Sequence, residues 1–309
     1  MIKVPFKPEN FAREMKPKIS GMNLSLEYYN IESSLYKVAA MIPDIISQTM
    51  YDKIIEAAES ADIEEKYKSV VDYLQRAMLH FGIYEHMIYI ILHISNDGVT
   101  TKKNDSETTA YKYQTDQLNN NLITTAWFWM NILIQYLNDH AGDFPEWKDS
   151  DQKKDYDNLP IDLSDFNKWV GVESSGGEYF MMFAGWIIRE VWMDCVRSRM
   201  KEPVKTDAIA RAVCYEVMGR ACQRLAYSCL PAPIRMDIDN EMGKNHRAQA
   251  DKDIRERIAG KFTSQANTYW NAMDLEIKRA AIEEQKKTVS SKPIIGQDGY
   301  WEGDKFVYS

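Results

Sequence analysis

Leu35, Val38, Ala39, Ile42, Ile45, Ile46, Met50 and Ile54 step by threes and fours, the spacing of one buried helical face. Pro43 falls within that stripe, so it must start the helix proper or kink it. A second stripe follows in Ile63, Tyr67, Val70, Val71, Leu74, Ala77, Met78 and Phe81, with Glu64, Glu65, Lys68 and Asp72 opposite. After Gly82 the period drops to two. Ile90, Leu92 and Ile94 alternate with Ile91, His93 and Ser95, and Asn96, Asp97 and Gly98 tolerate the left-handed backbone of a hairpin turn. A long helix over about 107–139 is marked by Leu118, Leu122, Ala126, Trp129, Met130, Leu133 and Leu137. Gly142, Pro145, Pro160 and a charge cluster then predict a linker over 142–174.

The order repeats beyond the linker. Moving the first stripe 146 positions on gives Met181, Ala184, Gly185, Ile188, Val191, Trp192, Val196 and Met200. A shift of 144 carries the second stripe, from Val70 onward, onto Cys214, Tyr215, Met218, Ala221, Cys222 and Leu225. Ile234, Met236 and Ile238 then alternate as Ile90, Leu92 and Ile94 do, ahead of a turn at Asn240, Glu241 and Gly243. The long helix returns at a shift of 140 as Ile258, Phe262, Ala266, Tyr269, Trp270, Met273 and Ile277. The expectation is a mainly α protein with short β-hairpins, built as a tandem duplication of helix, helix, hairpin and long helix. Its parts are an extended, mildly basic N-terminal arm (1–30), a first unit (31–141), the linker, a second unit (175–285) and a C-terminal arm (286–309). That last arm carries Tyr300, Trp301, Phe306 and Tyr308, aromatics suited to covering this chain or to joining a neighbouring subunit by strand addition.

Composition narrows the class. Eight Trp, eighteen Tyr and sixteen Met spread along the chain belong to a globular protein, and 309 residues suffice for one large or two ordinary cores. No apolar run reaches the roughly 18–20 residues of a membrane span, and the first residues lack a secretory signal's apolar core, so synthesis in a cytoplasm is expected. A net charge of -8 disfavours a protein whose task is gripping nucleic acid. Cys195, Cys214, Cys222 and Cys229 lack zinc-site spacing and disulfide-framework density, and read as reduced, buried thiols.

Reactive constellations are weak. The stretch from Asp237 has its glycine at the seventh place of a would-be calcium loop and Ala248 where a bidentate glutamate is required, so a polar hairpin turn is expected instead. His80, His86 and His93, six and seven apart, cannot share one helical face as ligands. The Ser-Ser-Gly-Gly stretch at 174–177 lacks a phosphate loop's lysine, and no nucleophile elbow is present. No catalytic, cofactor or metal site is therefore assigned. The two units repeat apolar positions and a hairpin rather than reactive groups.

Ile94 to Val99, Thr109 to Gln114 and Phe144 to Trp147 resemble segments of an uncharacterised family found in phages and prophages of Bacteroidetes. The repeated unit looks like the head-tail connector proteins of tailed phages. That resemblance implies a virion structural protein of the neck region. It would self-associate as a ring below the portal protein, meet tail or neck proteins, and let double-stranded DNA pass without sequence-specific binding; no membrane and no cofactor are implied. Candidate interface residues are Asn96, Asp97, Gly98, Asn240, Glu241, Gly243, Tyr300, Trp301, Phe306 and Tyr308. The competing expectations are a helical enzyme with a site between the units, using Glu178, Glu190 and Asp194, and a capsid assembly scaffold or chaperone.

Overall fold

Residues 3–15, 17–19, 27–95, 98–101, 112–172, 177–245 and 250–290 are described by a computed structural model, and they are mostly helical. The N-terminal segment corrects the expectation of an extended arm. Phe6, Phe11, Met15 and Ile19 are buried, Phe11 within α1 (Phe11–Met15), and Phe11 meets Tyr28 edge to face at 5.5 Å. Lys18 pairs with Asp72, and the Tyr51 hydroxyl donates to the Lys3 carbonyl at 2.6 Å. Basic residues dominate that segment's sequence, but its apolar ones, spaced four or five apart, decide where it lies.

The first stripe divides in two. Pro43 lies inside α2 (Tyr28–Ile46), near its end, and the break falls at Ser47, whose φ of 72° turns the chain into α3 (Gln48–Glu59). The Ser47 hydroxyl accepts the Met50 N–H at 3.2 Å, supplying a cap for an otherwise orphan donor. Next comes α4 (Glu65–Ile91), which continues straight through Gly82. A Cβ there would stand 2.8 Å from Leu35 Cδ2, so this glycine marks a close approach of α4 to α2 rather than a stop. Ile90 and Ile91 are accordingly helical, and the ribbon begins at β1 (Leu92–Ser95), antiparallel to β2 (Gly98–Thr101) with Ser95 opposite Gly98. Then α5 (Lys112–Asp139) returns along α4, joined by a stacked pair, Tyr73 and Trp129, at 6.0 Å.

The predicted linker is a packed element. It holds α6 (Pro145–Lys148), α7 (Asp151–Asp157) and α8 (Leu163–Trp169), and Phe144, Trp147, Ile161 and Phe166 are fully buried. Helix α8 opens on a capping box between Asp162 and Asp165. Burial pushes the Asp162 carboxyl up, but bonds from Lys205, Ser164 and the Asp165 N–H outweigh it and pull it down to about 2. Unfolded, it would titrate near 3.9. Asp162→Ala is expected to cost about 1 kcal/mol above pH 4. That cost shrinks as pH falls from about 4 toward 2, because protons then bind the unfolded chain first. Urea titrations at several pH values read it.

In the second half, α9 (Glu178–Val191) runs into a π-helical turn, Trp192–Arg197, followed by α10 (Asp207–Arg224), a 3-10 turn at Tyr227–Cys229, α11 (Ala232–Asn245) and α12 (Ala250–Ser290). The expected second hairpin is thus overturned, since 232–245 is helix. Ile234, Arg235 and Ile238 are buried while Met236 is exposed, so the true spacing is i, i+4 and the alternation of isoleucine with methionine was incidental.

Helices α10 and α12 are antiparallel. Arg255 donates to the Cys222 carbonyl at 2.8 Å near one end, and the Arg211 guanidinium lies 4.1 Å from the Tyr269 ring near the other. Between them, a Cβ on Gly219 would stand 2.6 Å from Thr263 Oγ1, so only glycine allows the backbones this close. One hydrophobic cluster runs from Phe6 to Met273 and joins both halves.

Candidate assembly surfaces and the seam between the halves

Arg235 is 2% exposed, and among the described residues no carboxylate lies within ion-pair distance of it. A buried guanidinium must spend its donors on neutral acceptors instead. It reaches Thr124 Oγ1 of α5 at 3.0 Å, Tyr179 Oη of α9 at 3.3 Å and the Leu230 carbonyl. Tyr179 in turn donates to Leu230 O at 3.1 Å and stacks on Trp127 of α5, with ring centroids 4.4 Å apart at 12°. Trp127 Nε1 donates to Ser228 O, and Asn131 of α5 accepts the Tyr179 N–H at 3.1 Å. The first half is thereby fastened to the second through one continuous polar and aromatic seam.

A second link lies one helical turn away. Asp239 of α11 accepts from Asn120 of α5 and from the Tyr227 hydroxyl, each at 2.6 Å. Burial, then the Asp239 carboxylate, push the Tyr227 hydroxyl well above its usual range. Arg235 opposite Thr124 and Asp239 opposite Asn120 make α11 antiparallel to α5. Continuing that register carries the C-terminal end of α11 toward the start of α5, and hence toward the β1–β2 end of the first half.

The interface residues named from sequence are placed unevenly. Gly98 opens β2; Asn240, Glu241 and Gly243 lie in the last turns of α11, with Asn240 exposed. They form no hairpin tip, although the register above brings them to the ribbon's end of the molecule. Asn96, Asp97, Tyr300, Trp301, Phe306 and Tyr308 lie outside the described residues.

The carboxylates of the enzymatic alternative do not converge. Glu178 is buried at the start of α9, where it accepts from Gln135 Nε2 at 2.9 Å. Glu190, at the far end of the same helix, and Asp194, in the π turn that follows, are gathered by arginines: Arg220 reaches both, and Arg224 adds two bonds to Glu190. Those bonds, from Arg224 first, hold the Glu190 carboxyl below its usual range. All four cysteines are free; burial pushes Cys222 up to about 12 and raises Cys195, Cys214 and Cys229 as well, so none is a ready thiolate. His80 is buried and held below its normal range by desolvation, with Nδ1 at 2.7 Å from the Arg76 carbonyl. No group of three or more His, Cys, Asp or Glu among the described residues could hold a metal ion, and no described helix is long and apolar enough to cross a membrane.

What the described surface does offer includes exposed apolar side chains and a cavity. Trp186 and Met193 stand 48% and 53% exposed on the outer side of α9 and the π turn; Leu275 and Ile282 stand 55% and 51% exposed on α12. The cavity, about 160 Å³, is lined by Val38, Met41, Phe81, Ile123 and Trp127, with Lys37, Tyr84, Glu85 and Ser228 completing it.

A family model, described as a family of unknown function (DUF6712), matches residues 42–157. That span runs from the end of α2 to the end of α7. It contains all three segments on which the sequence resemblance rests. No curated protein and no solved structure matches the chain.

Proposed function

We propose that this chain is a virion structural protein, a head-tail connector or portal-adjacent ring protein that self-associates head to tail around the DNA channel. The observation that carries the reading is a pair of different exposed apolar patches at opposite ends of the α10–α12 pair. Trp186 sits at one end, where the Arg224 guanidinium lies 5.6 Å from its ring, with Met193 two turns on. Leu275 and Ile282 sit at the other, beyond Met273, the last of the described α12 residues to be buried. From there α12 runs about another 25 Å at 1.5 Å per residue; of its described side chains on that stretch, Asp274 and Ile277 are partly buried and the others exposed. Two dissimilar patches meeting head to tail make a heterologous contact, which closes into a ring when the rotation permits.

The two halves are divergent copies of one helical unit, the second having lost the ribbon. In support, Met181, Ala184, Gly185, Ile188, Val191 and Val196 are buried like their counterparts in α2 and α3, and Cys214, Met218, Ala221, Cys222 and Leu225 like theirs in α4. The helical walls give stiffness, and the net charge of -8 limits adhesion of passing DNA. A capsid scaffold would use similar surfaces, and presence in finished particles separates the two roles.

Leu275→Glu with Ile282→Glu tests the patch. Both side chains are exposed, so the monomer's melting should not move. Sedimentation velocity is expected to show assembly weakened at least tenfold; unchanged assembly would remove this face from the interface.

A further inference from the structure

The cavity beside the seam has the size and lining of a receptor for one aromatic side chain. At about 160 Å³ it matches the space that holds a benzene-sized ring. Phe81 and Trp127 supply aromatic walls, in edge-to-face contact at 4.7 Å, and Val38, Met41 and Ile123 supply aliphatic ones. The rim is polar: Lys37 and Glu85 form a loose pair at 3.6 Å, side chains 64% and 41% exposed, beside Tyr84 and Ser228. Such a lining suits a ring with one polar atom, tryptophan or tyrosine, rather than phenylalanine.

The chain carries its own candidate. After Ser290 come nineteen residues, including the adjacent pair Tyr300 and Trp301, set among Asp298, Glu302 and Asp304. Those acids complement Lys37 at the rim. Reach then decides whose cavity is filled. Arg255 anchors α12 beside Leu225 and Cys222, three to six residues before Ser228 of the cavity wall. From that level α12 runs away for about 50 Å to Ser290. The eleven residues from Ser290 to Trp301 span at most about 40 Å when fully extended. Trp301 therefore falls short of its own cavity, whereas the head-to-tail arrangement brings the end of one α12 to the Trp186 end of the next chain, which is also the Ser228 end.

We propose that Tyr300 and Trp301 of one chain dock in the Phe81–Trp127 cavity of a second copy, latching neighbours in the assembly. This rests on the self-association argued above, and it names the contact that secures it.

The test uses the full chain carrying Tyr300→Ala and Trp301→Ala as receptor, and a fluorescein-labelled peptide of residues 293–309 as probe. Saturable binding of one peptide per chain is expected. Met41→Trp, which fills the cavity, should weaken it at least tenfold, as should Trp301→Ala in the peptide. Lys37→Glu, an exposed change that leaves the core untouched, should weaken it at least threefold and guards against misfolding of the Met41 variant. The proposal is overturned by absent binding, by binding indifferent to both receptor changes, or by dependence on Tyr308 in place of Trp301. Wild-type mass measured in parallel separates the two ideas. An assembling chain that ignores the peptide keeps self-association and loses the latch; a monomer that binds it keeps the cavity's ligand and loses the ring.

Discussion

Arg235→Ala is expected to lower the free energy of unfolding by about 3–5 kcal/mol, as deletion of a large buried polar side chain does when its partners stay buried. The substitution empties a site whose residue is 2% exposed and strips donors from Thr124, Tyr179 and Leu230 at once. Arg235→Met separates the causes. It restores most of the volume and removes a cation that no described carboxylate neutralises, so its cost should be about 1–2 kcal/mol. Urea denaturation of both variants reads the difference. Equal losses would mean that the hydrogen bonds, lost in both variants, carry the effect and that refilling the volume contributes little.

Trp127→Ala should cost a similar 3–5 kcal/mol. Trp127 is 1% exposed, stacks on Tyr179, meets Phe81 and Phe183 edge to face, and donates to Ser228. Truncation would merge the cavity beside it with a new void. Because Tyr179 touches both Trp127 and Arg235, the two losses should not add; a double-mutant cycle is expected to show at least about 0.5 kcal/mol of coupling. Independent losses would argue against one continuous seam.

Helices with a strong apolar stripe could be read from the chain, because a face spaced at 3.6 residues serves any partner that covers it. The stripes of α2, α4, α5, α10 and α12 are buried largely where their spacing puts them. Breaks were harder to see. Gly82 suggested an end, yet it lets α2 and α4 touch, and Pro43 drew attention from Ser47, whose positive φ does the turning. Phe144, Trp147, Ile161 and Phe166 were hidden among prolines and charges, so packed short helices passed for a linker. The alternation at Ile234, Met236 and Ile238 failed for a related reason: over five residues, period two and i, i+4 share their end positions, and only the exposure of Met236 and the burial of Arg235 distinguish them. That arginine is also what sequence missed in the seam. A cation within an apolar run gives a faint signal, and its partners Thr124 and Tyr179 lie 111 and 56 positions away.

The most direct test is the mass and shape of the purified full-length protein, by mass photometry and negative-stain electron microscopy over micromolar concentrations. Closed rings of uniform copy number are predicted, disrupted by Leu275→Glu with Ile282→Glu. A monodisperse monomer up to tens of micromolar, missing from finished particles as well, would contradict the proposed role.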